Sequence, residues 1–223
     1  MTTTNPLTVL FENDDLIVID KPEGLAVIPT REAGAPCVIA ILAATGMRPY
    51  VVHRLDKDVS GVLLVAKTPD MHRYLNARFE SREVNKNYLA VTHGRIRKAQ
   101  GRIQSRLRQF GSSRMGVDPK SGKASLTLYR VLETFGPYTM VSAHPVTGRR
   151  HQLRVHFYDI GHAIVGDGWY GDPEAQRGYP RLLLHARSVA LTLPDGAHFR
   201  VTAPAPPSFT EAVATLRRAP AGR

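Results

Sequence analysis

Between Val51 and Thr68 the sequence reads VVHRLDKDVSGVLLVAKT, which sets His53, Arg54, Asp56, Lys57 and Asp58 between two apolar stretches. Charged groups at the edge of a core are costly unless they are paired or used. The residue types suit two kinds of chemistry. A loop carboxylate can serve as nucleophile or as general acid or base. An arginine beside it can stack on a planar ring and bind phosphate at once. On residue type alone Asp56 and Asp58 are as readily turn caps as catalysts.

The charge balance points to a partner. Thirty Lys and Arg face nineteen Asp and Glu, a net +11 in 223 residues. Arg95, Arg97, Lys98, Arg102, Arg106, Arg108, Arg114, Lys120 and Lys123 crowd one segment, opposed only by Asp118 and interleaved with Gly101, Gly111, Ser112, Ser113, Gly116 and Gly122. Cations among glycines and serines read as flexible loops suited to phosphate, so we expect a nucleic acid as partner. An acidic membrane surface fits less well, since no basic amphipathic helix is visible.

Several other classes lack their signatures. Cys37 is the sole cysteine, so disulfides and thiolate zinc sites are excluded. No apolar run is long enough to cross a bilayer, and the opening MTTTNPLTVLFEND has no basic region followed by an apolar stretch; a cytoplasmic location is expected. Gly166 to Gly171, GDGWYG, fits the dinucleotide pattern G-x-G-x-x-G, but Asp172-Pro173 follows where a helix should open. His151 and His156 lie five apart, and neither zincin spacing nor a two-histidine-plus-carboxylate cluster is present. We expect no metal, no cofactor and no nucleotide cofactor.

The elements that must position the loop follow from patterning. Leu7–Glu12 and Leu16–Asp20 around Asn13-Asp14-Asp15 read as a hairpin, and 61–66 as a buried strand. Pro69–Glu80 reads as a helix with Met71, Leu75 and Phe79 on one face, and 37–45 and 151–160 as shorter helices stopped by Gly46 and Gly161. Strands are expected at 87–92, 125–129, 138–143, 182–193 and 199–202, and a closing helix at 209–216. In 125–129, Leu126 and Leu128 share one face, and Ser125, Thr127 and Tyr129 the other. Strands adjoin strands more than they alternate with helices. The fold class is therefore α+β, a mostly antiparallel mixed sheet with flanking helices. We expect one catalytic domain over residues 7–217, with flexible ends at 1–6 and 218–223.

Four blocks, in order, resemble the RluA-type RNA pseudouridine synthases. HRLDKDVSG (53–61) is similar to that family's H-R-L-D-x-x-T-S-G, and LFENDDLIVIDKPEGL (10–25) to its opening hairpin. FESREVNKNYLA (79–90) resembles F-x-x-R-x-V-x-K-x-Y. HPVTGRRHQLRVH (144–156), continued by GHAIVGDGWYG (161–171) and LLLHA (182–186), resembles the P-x-T-G-R-x-H-Q-[IL]-R-x-H…G-D block. The resemblance covers about residues 7–207. Val59 stands where the family usually has Thr, from which we expect a local effect. The RNA-binding domain that often precedes the family's catalytic domain is expected to be missing, since about six residues precede the first strand.

The resemblance implies isomerisation of a uridine to pseudouridine in structured RNA, rRNA or tRNA, in a fold with a central RNA-binding cleft; a monomer is expected. It implies that Asp56 is the catalytic carboxylate, through attack on the ribose, attack on the uracil ring, or removal of a sugar proton. It further implies that Arg154 pairs with Asp56 and keeps it ionised, that Tyr88 stacks on the uracil, and that Arg54 enters the gap left by the flipped nucleotide. Lys86, two before Tyr88, shares its strand face and has no assigned role. A non-catalytic RNA-binding protein on the same fold is the alternative. A carboxylate-dependent hydrolase would want a second placed carboxylate, which the motif blocks do not supply.

Overall fold

The computed structural model describes residues 7–32, 34–111 and 114–218. In chain order its elements are β1 (Thr8–Glu12), β2 (Leu16–Lys21), α1 (Val38–Ala44), β3 (Tyr50–Val51), β4 (Ser60–Ala66), α2 (Pro69–Glu80), β5 (Asn85–His93), β6 (Gln100–Phe110), β7 (Arg114–Val117) and β8 (Lys123–Phe135). Then come β9 (Tyr138–Pro145), α3 (Gln152–Asp159), β10 (Leu184–Thr192), β11 (His198–Thr202) and α4 (Pro207–Arg218). The α+β reading holds, and the ladders β1–β2, β2–β4, β10–β11, β5–β9, β8–β9, β6–β8 and β6–β7 all run antiparallel.

These residues group into two compact units, one of residues up to Asn85 with Ala186–Pro204, the other of Lys86–His185 with the chain from Ala205. In the first unit the strand order is β1-β2-β4-β10, with β3 on β4 and β11 on β10. Asn13 makes the opening hairpin: its side-chain oxygen accepts from the N–H of Asp15 (3.0 Å) and of Leu16 (2.7 Å). Every residue of β4 is buried, which is why its sequence is apolar without alternation. Its one glycine is obligatory, because Gly61 sits at φ +113° and a Cβ there would meet the Ala186 carbonyl oxygen at 2.2 Å. Thr68 caps α2 by accepting from Met71 N–H, Pro69 opens the first turn, and Met71 and Leu75 pack with Leu64 and Val189.

In the second unit the order is β5-β9-β8-β6-β7. Its larger core joins Val91, Val165 and Leu183 to Phe209, Val213 and Leu216 of α4. Here one expectation changes. The basic segment is not loop: β6 and β7 form a hairpin, and β6 pairs with β8 from Gln100↔Arg130 to Leu107↔Lys123. Ile103 and Leu107 point inward, while Arg102, Arg106 and Arg108 stay exposed. Gly101 belongs to the strand because the Tyr129 ring lies where its side chain would be. The alternation expected in β8 is present: the buried face is Ser125, Thr127 and Tyr129, and Leu128 on the other is 44% exposed.

The segments expected to be flexible at either end lie outside the described residues, except Arg218, which closes α4.

Candidate active site

In the first unit the loop between β3 and β4 carries Arg54 and Asp56, and it is pinned from beneath. Lys21, at the end of β2, has no solvent exposure. Its ammonium donates to the carbonyls of Pro22 (2.6 Å), Leu25 (2.7 Å) and Lys57 (3.0 Å), which satisfies a charge that would otherwise be too costly to bury. At the other end His53 Nε2 accepts from Leu64 N–H (3.0 Å), and its ring stacks on Phe79 at 4.8 Å. Leu55 and Val59 are buried, and Val59 N–H donates to the Asp56 carbonyl (3.1 Å), closing the turn. Alternate residues are thereby left outward: Arg54 is exposed and Asp56 half-buried. The turn hydrogen bond uses the backbone of Val59, so it needs no side-chain hydroxyl at this position.

Tyr88 and Lys86 lie in the second unit on one face of β5, with Tyr88 opposite Ala143 of β9. Burial pushes the Lys86 ammonium down to about 8. A side chain at Gly148 would begin 3.8 Å from that ammonium, so the turn of Thr147, Gly148 and Arg149 lies beside it.

That turn and α3 are locked to β8 by a polar seam. Gln152 Oε1 accepts from the Thr147 hydroxyl (2.6 Å) and Arg149 N–H (3.0 Å), while Nε2 donates to the Leu126 carbonyl (3.0 Å) and the Thr127 hydroxyl (3.1 Å). His156, with no exposure, bridges Thr127 (Nδ1, 2.9 Å) and Ser125 (Nε2, 2.7 Å), and Ser125 donates onward to the Ser105 carbonyl (2.8 Å). The donors assign a neutral ring with its proton on Nε2. Burial agrees, holding the imidazole down to about 4. This seam explains why the polar face of β8 is the inner one.

Arg154 is buried on its helix. Residues 152 to 157 are all buried, and Arg154 is clamped by a carboxylate that the sequence reading missed. Its Nε and terminal nitrogen donate to Asp167 Oδ2 (2.8 Å) and Oδ1 (2.7 Å), with side chains 4% and 0% exposed. Asp167 Oδ1 also accepts from the N–H of Trp169 (2.9 Å) and Tyr170 (3.2 Å). The guanidinium carbon lies 5.2 Å from the Tyr170 ring centre. The Tyr170 hydroxyl in turn shares a hydrogen bond with His151 Nδ1 (2.8 Å) and accepts from Met115 N–H (3.0 Å). The GDGWYG segment is therefore a turn that aims a carboxylate at α3. Gly166 is required there, since a Cβ at φ +75° would lie 1.9 Å from the Arg181 carbonyl oxygen.

Residues 15–159 match the RNA pseudouridylate synthase family. This chain belongs to that family. It is an RNA pseudouridine synthase, hence an isomerase. The chain is 38% identical to the dual-specificity RNA pseudouridine synthase RluA of Escherichia coli K12 over 84% of its length and 88% of the relative's. It is 36% identical to the ribosomal large subunit pseudouridine synthase C of Vibrio vulnificus, over 94% of this chain and 69% of that one. The human RNA pseudouridylate synthase domain containing 1 superposes with TM-score 0.77 at 26% identity, covering 98% and 97% of the two chains.

Within the synthase, Arg54 and Asp56 share one loop of the first unit, and Tyr88, Lys86 and Arg154 belong to the second. Sequence reasoning missed Lys21, Gln152, His156 and Asp167 as the groups that hold these elements. Lys21 and Asp167 carried a signal, a charged residue at the end of an apolar run.

The neutral His156 makes a pH prediction. Below about 6.5 the unfolded chain takes up a proton that the buried ring refuses, so stability falls as the pH drops toward 4 and recovers above 6.5. This single group removes about 2 kcal/mol between pH 7 and pH 5. Denaturant titration at both pH values should show His156→Gln losing less stability than the parent by that amount; equal losses would exonerate His156.

Proposed function

We propose that the synthase isomerises a uridine in structured RNA, ribosomal or transfer, with Asp56 as its reactive carboxylate. The observation that carries this assignment is the loop itself: Lys21 and His53 fix its two ends, Leu55 and Val59 are inserted in the core, and Asp56 is left half-buried between them. A catalytic group must be held by its neighbours, and this one is.

The reaction breaks the bond from ribose C1′ to N1, turns the uracil, and forms a bond from C1′ to C5. The C5 hydrogen leaves as a proton and N1 gains one, so no electrons are exchanged. A carboxylate is enough to drive these steps, whether it attacks the sugar, attacks the ring or removes a sugar proton. We assign Tyr88 to stack on the detached base, which a flat ring holds without fixing its rotation. Arg54, exposed on the same loop as Asp56, is assigned to the place vacated by the flipped nucleotide. Arg154 is assigned to keep the reactive carboxylate ionised, and its pairing with Asp167 supports that role by fixing the guanidinium plane.

Exposed Arg102, Arg106 and Arg108 along β6 support a polyanionic substrate. The synthase is proposed to act as a cytoplasmic monomer.

Asp56→Asn should abolish pseudouridine formation, read by nucleoside analysis of treated rRNA and tRNA, while RNA affinity persists; an active variant ends the assignment. A parent protein that binds RNA without forming pseudouridine would favour a binding role instead. Tyr88→Phe keeps the stacking face and should lose far less turnover than Tyr88→Ala, and equal losses would deny stacking.

A further inference from the structure

A cavity of about 220 Å³ in the second unit has no part in the chemistry above. It opens between the β6–β7 hairpin and the C-terminal half of α3, with Phe110, Arg114, Met115, Tyr158, Asp159 and Tyr170 among its walls. Two of the wall rings face water: Phe110 is 41% and Tyr158 44% exposed. Trp169, next to the wall residue Tyr170 in sequence, and Ile160, next to Asp159, are 43% and 38% exposed. Large apolar groups gathered at an opening call for something to cover them.

The surroundings say what kind of group that is. The Arg108 guanidinium lies 4.6 Å from the Phe110 ring centre, and that of Arg114 5.5 Å from the Tyr170 ring centre. Aromatic faces interleaved with arginines, on a chain of net charge +11, suit an unpaired nucleotide: the base stacks and the phosphates meet the cations. The volume is too small for a drug-sized ligand and admits a single flat heterocycle. Asp159 adds selectivity. An ionised carboxylate only accepts hydrogen bonds, and guanine alone among the RNA bases presents two adjacent donors, N1–H and the 2-amino group, on its pairing edge.

We propose that this cavity is a second nucleotide subsite, taking one unpaired base, guanine best, from the RNA whose uridine is isomerised. The base lies against Phe110 and Tyr158, its donor edge on Asp159, its phosphates toward Arg108 and Arg114. The subsite rests on the reading of the chain as an RNA-modifying isomerase and extends it. Tyr170 forms a wall of the cavity while its ring also contacts Arg154, so occupation is sensed one side chain away from a residue assigned to the reaction. A target RNA then needs an unpaired guanine besides its uridine.

Trp169 is the sole tryptophan and adjoins Tyr170, so its emission reports occupancy. The full chain is titrated with GMP, AMP, CMP and UMP. The expected result is a saturable change, tightest for GMP, with Tyr158→Ala raising the GMP Kd by about tenfold or more. Asp159→Asn, folded by circular dichroism, should bring GMP to the level of UMP. No saturable response at millimolar nucleotide would overturn the subsite, as would variants with the parent Kd or a cavity that answers only to a protein partner. If GMP fails to bind while the chain still forms pseudouridine in total RNA, the subsite falls and the isomerase reading stands.

Discussion

The second unit depends on an ion pair that water does not reach. Arg154 and Asp167 face each other with almost no exposure, and removing one partner of such a pair costs about 3–5 kcal/mol because a charge is then stranded. Their attraction offsets desolvation only because every strong acceptor site is used. The fork of the guanidinium spans both carboxylate oxygens, and two turn N–H groups complete Asp167. That requirement dictates the turn. Gly166 must be glycine for the chain to pass the Arg181 carbonyl, and the residues after it must bend back over the carboxylate. It also dictates that α3 cannot slide, and the Gln152 and His156 bonds to β8 supply that restraint.

The first unit solves a similar problem with one charge instead of two. Lys21 is as buried as the leucines around it, and three carbonyls take the place of water. The gain is a loop whose ends cannot move while its outward residues remain accessible. Basic residues thus divide into two populations. Lys21 and Arg154 spend their charge inside the protein, as does Arg181, whose guanidinium bonds to Leu182 and Ser208. Arg102, Arg106 and Arg108 stay in solvent along one strand, where they set the field that a polyanion meets. The family membership, the fold and this division all lead to RNA as the substrate.

Much of this was legible in the sequence, for identifiable reasons. The opening hairpin, α2 and β4 declare themselves through Asn13, the Thr68-Pro69 start and an unbroken apolar run, all local signals. The hairpin of β6 and β7 does not. Its inward side chains, Ile103 and Leu107, are four apart and separated by Gln104, Ser105 and Arg106, so the period-2 pattern is too thin to see. Its glycines read as loop, although Gly101 is there to admit a tyrosine ring. The alternation of β8 was legible but not which face is inner, because polarity does not mark the outside when a histidine and a glutamine from α3 satisfy it. Asp167 was quoted within its motif, yet its partner thirteen residues earlier is a tertiary fact that no periodicity encodes.

The central claim is that Asp167 serves the reaction by fixing the plane of Arg154. A double-mutant cycle tests it: Arg154→Lys, Asp167→Asn and the pair together, each read as the rate of pseudouridine formation at saturating RNA. Lysine keeps the charge but cannot span both carboxylate oxygens. The account predicts a large loss in each single variant and little further loss in the double, because both remove the same restraint. Losses that simply multiply, or an Arg154→Lys variant as fast as the parent, would contradict it.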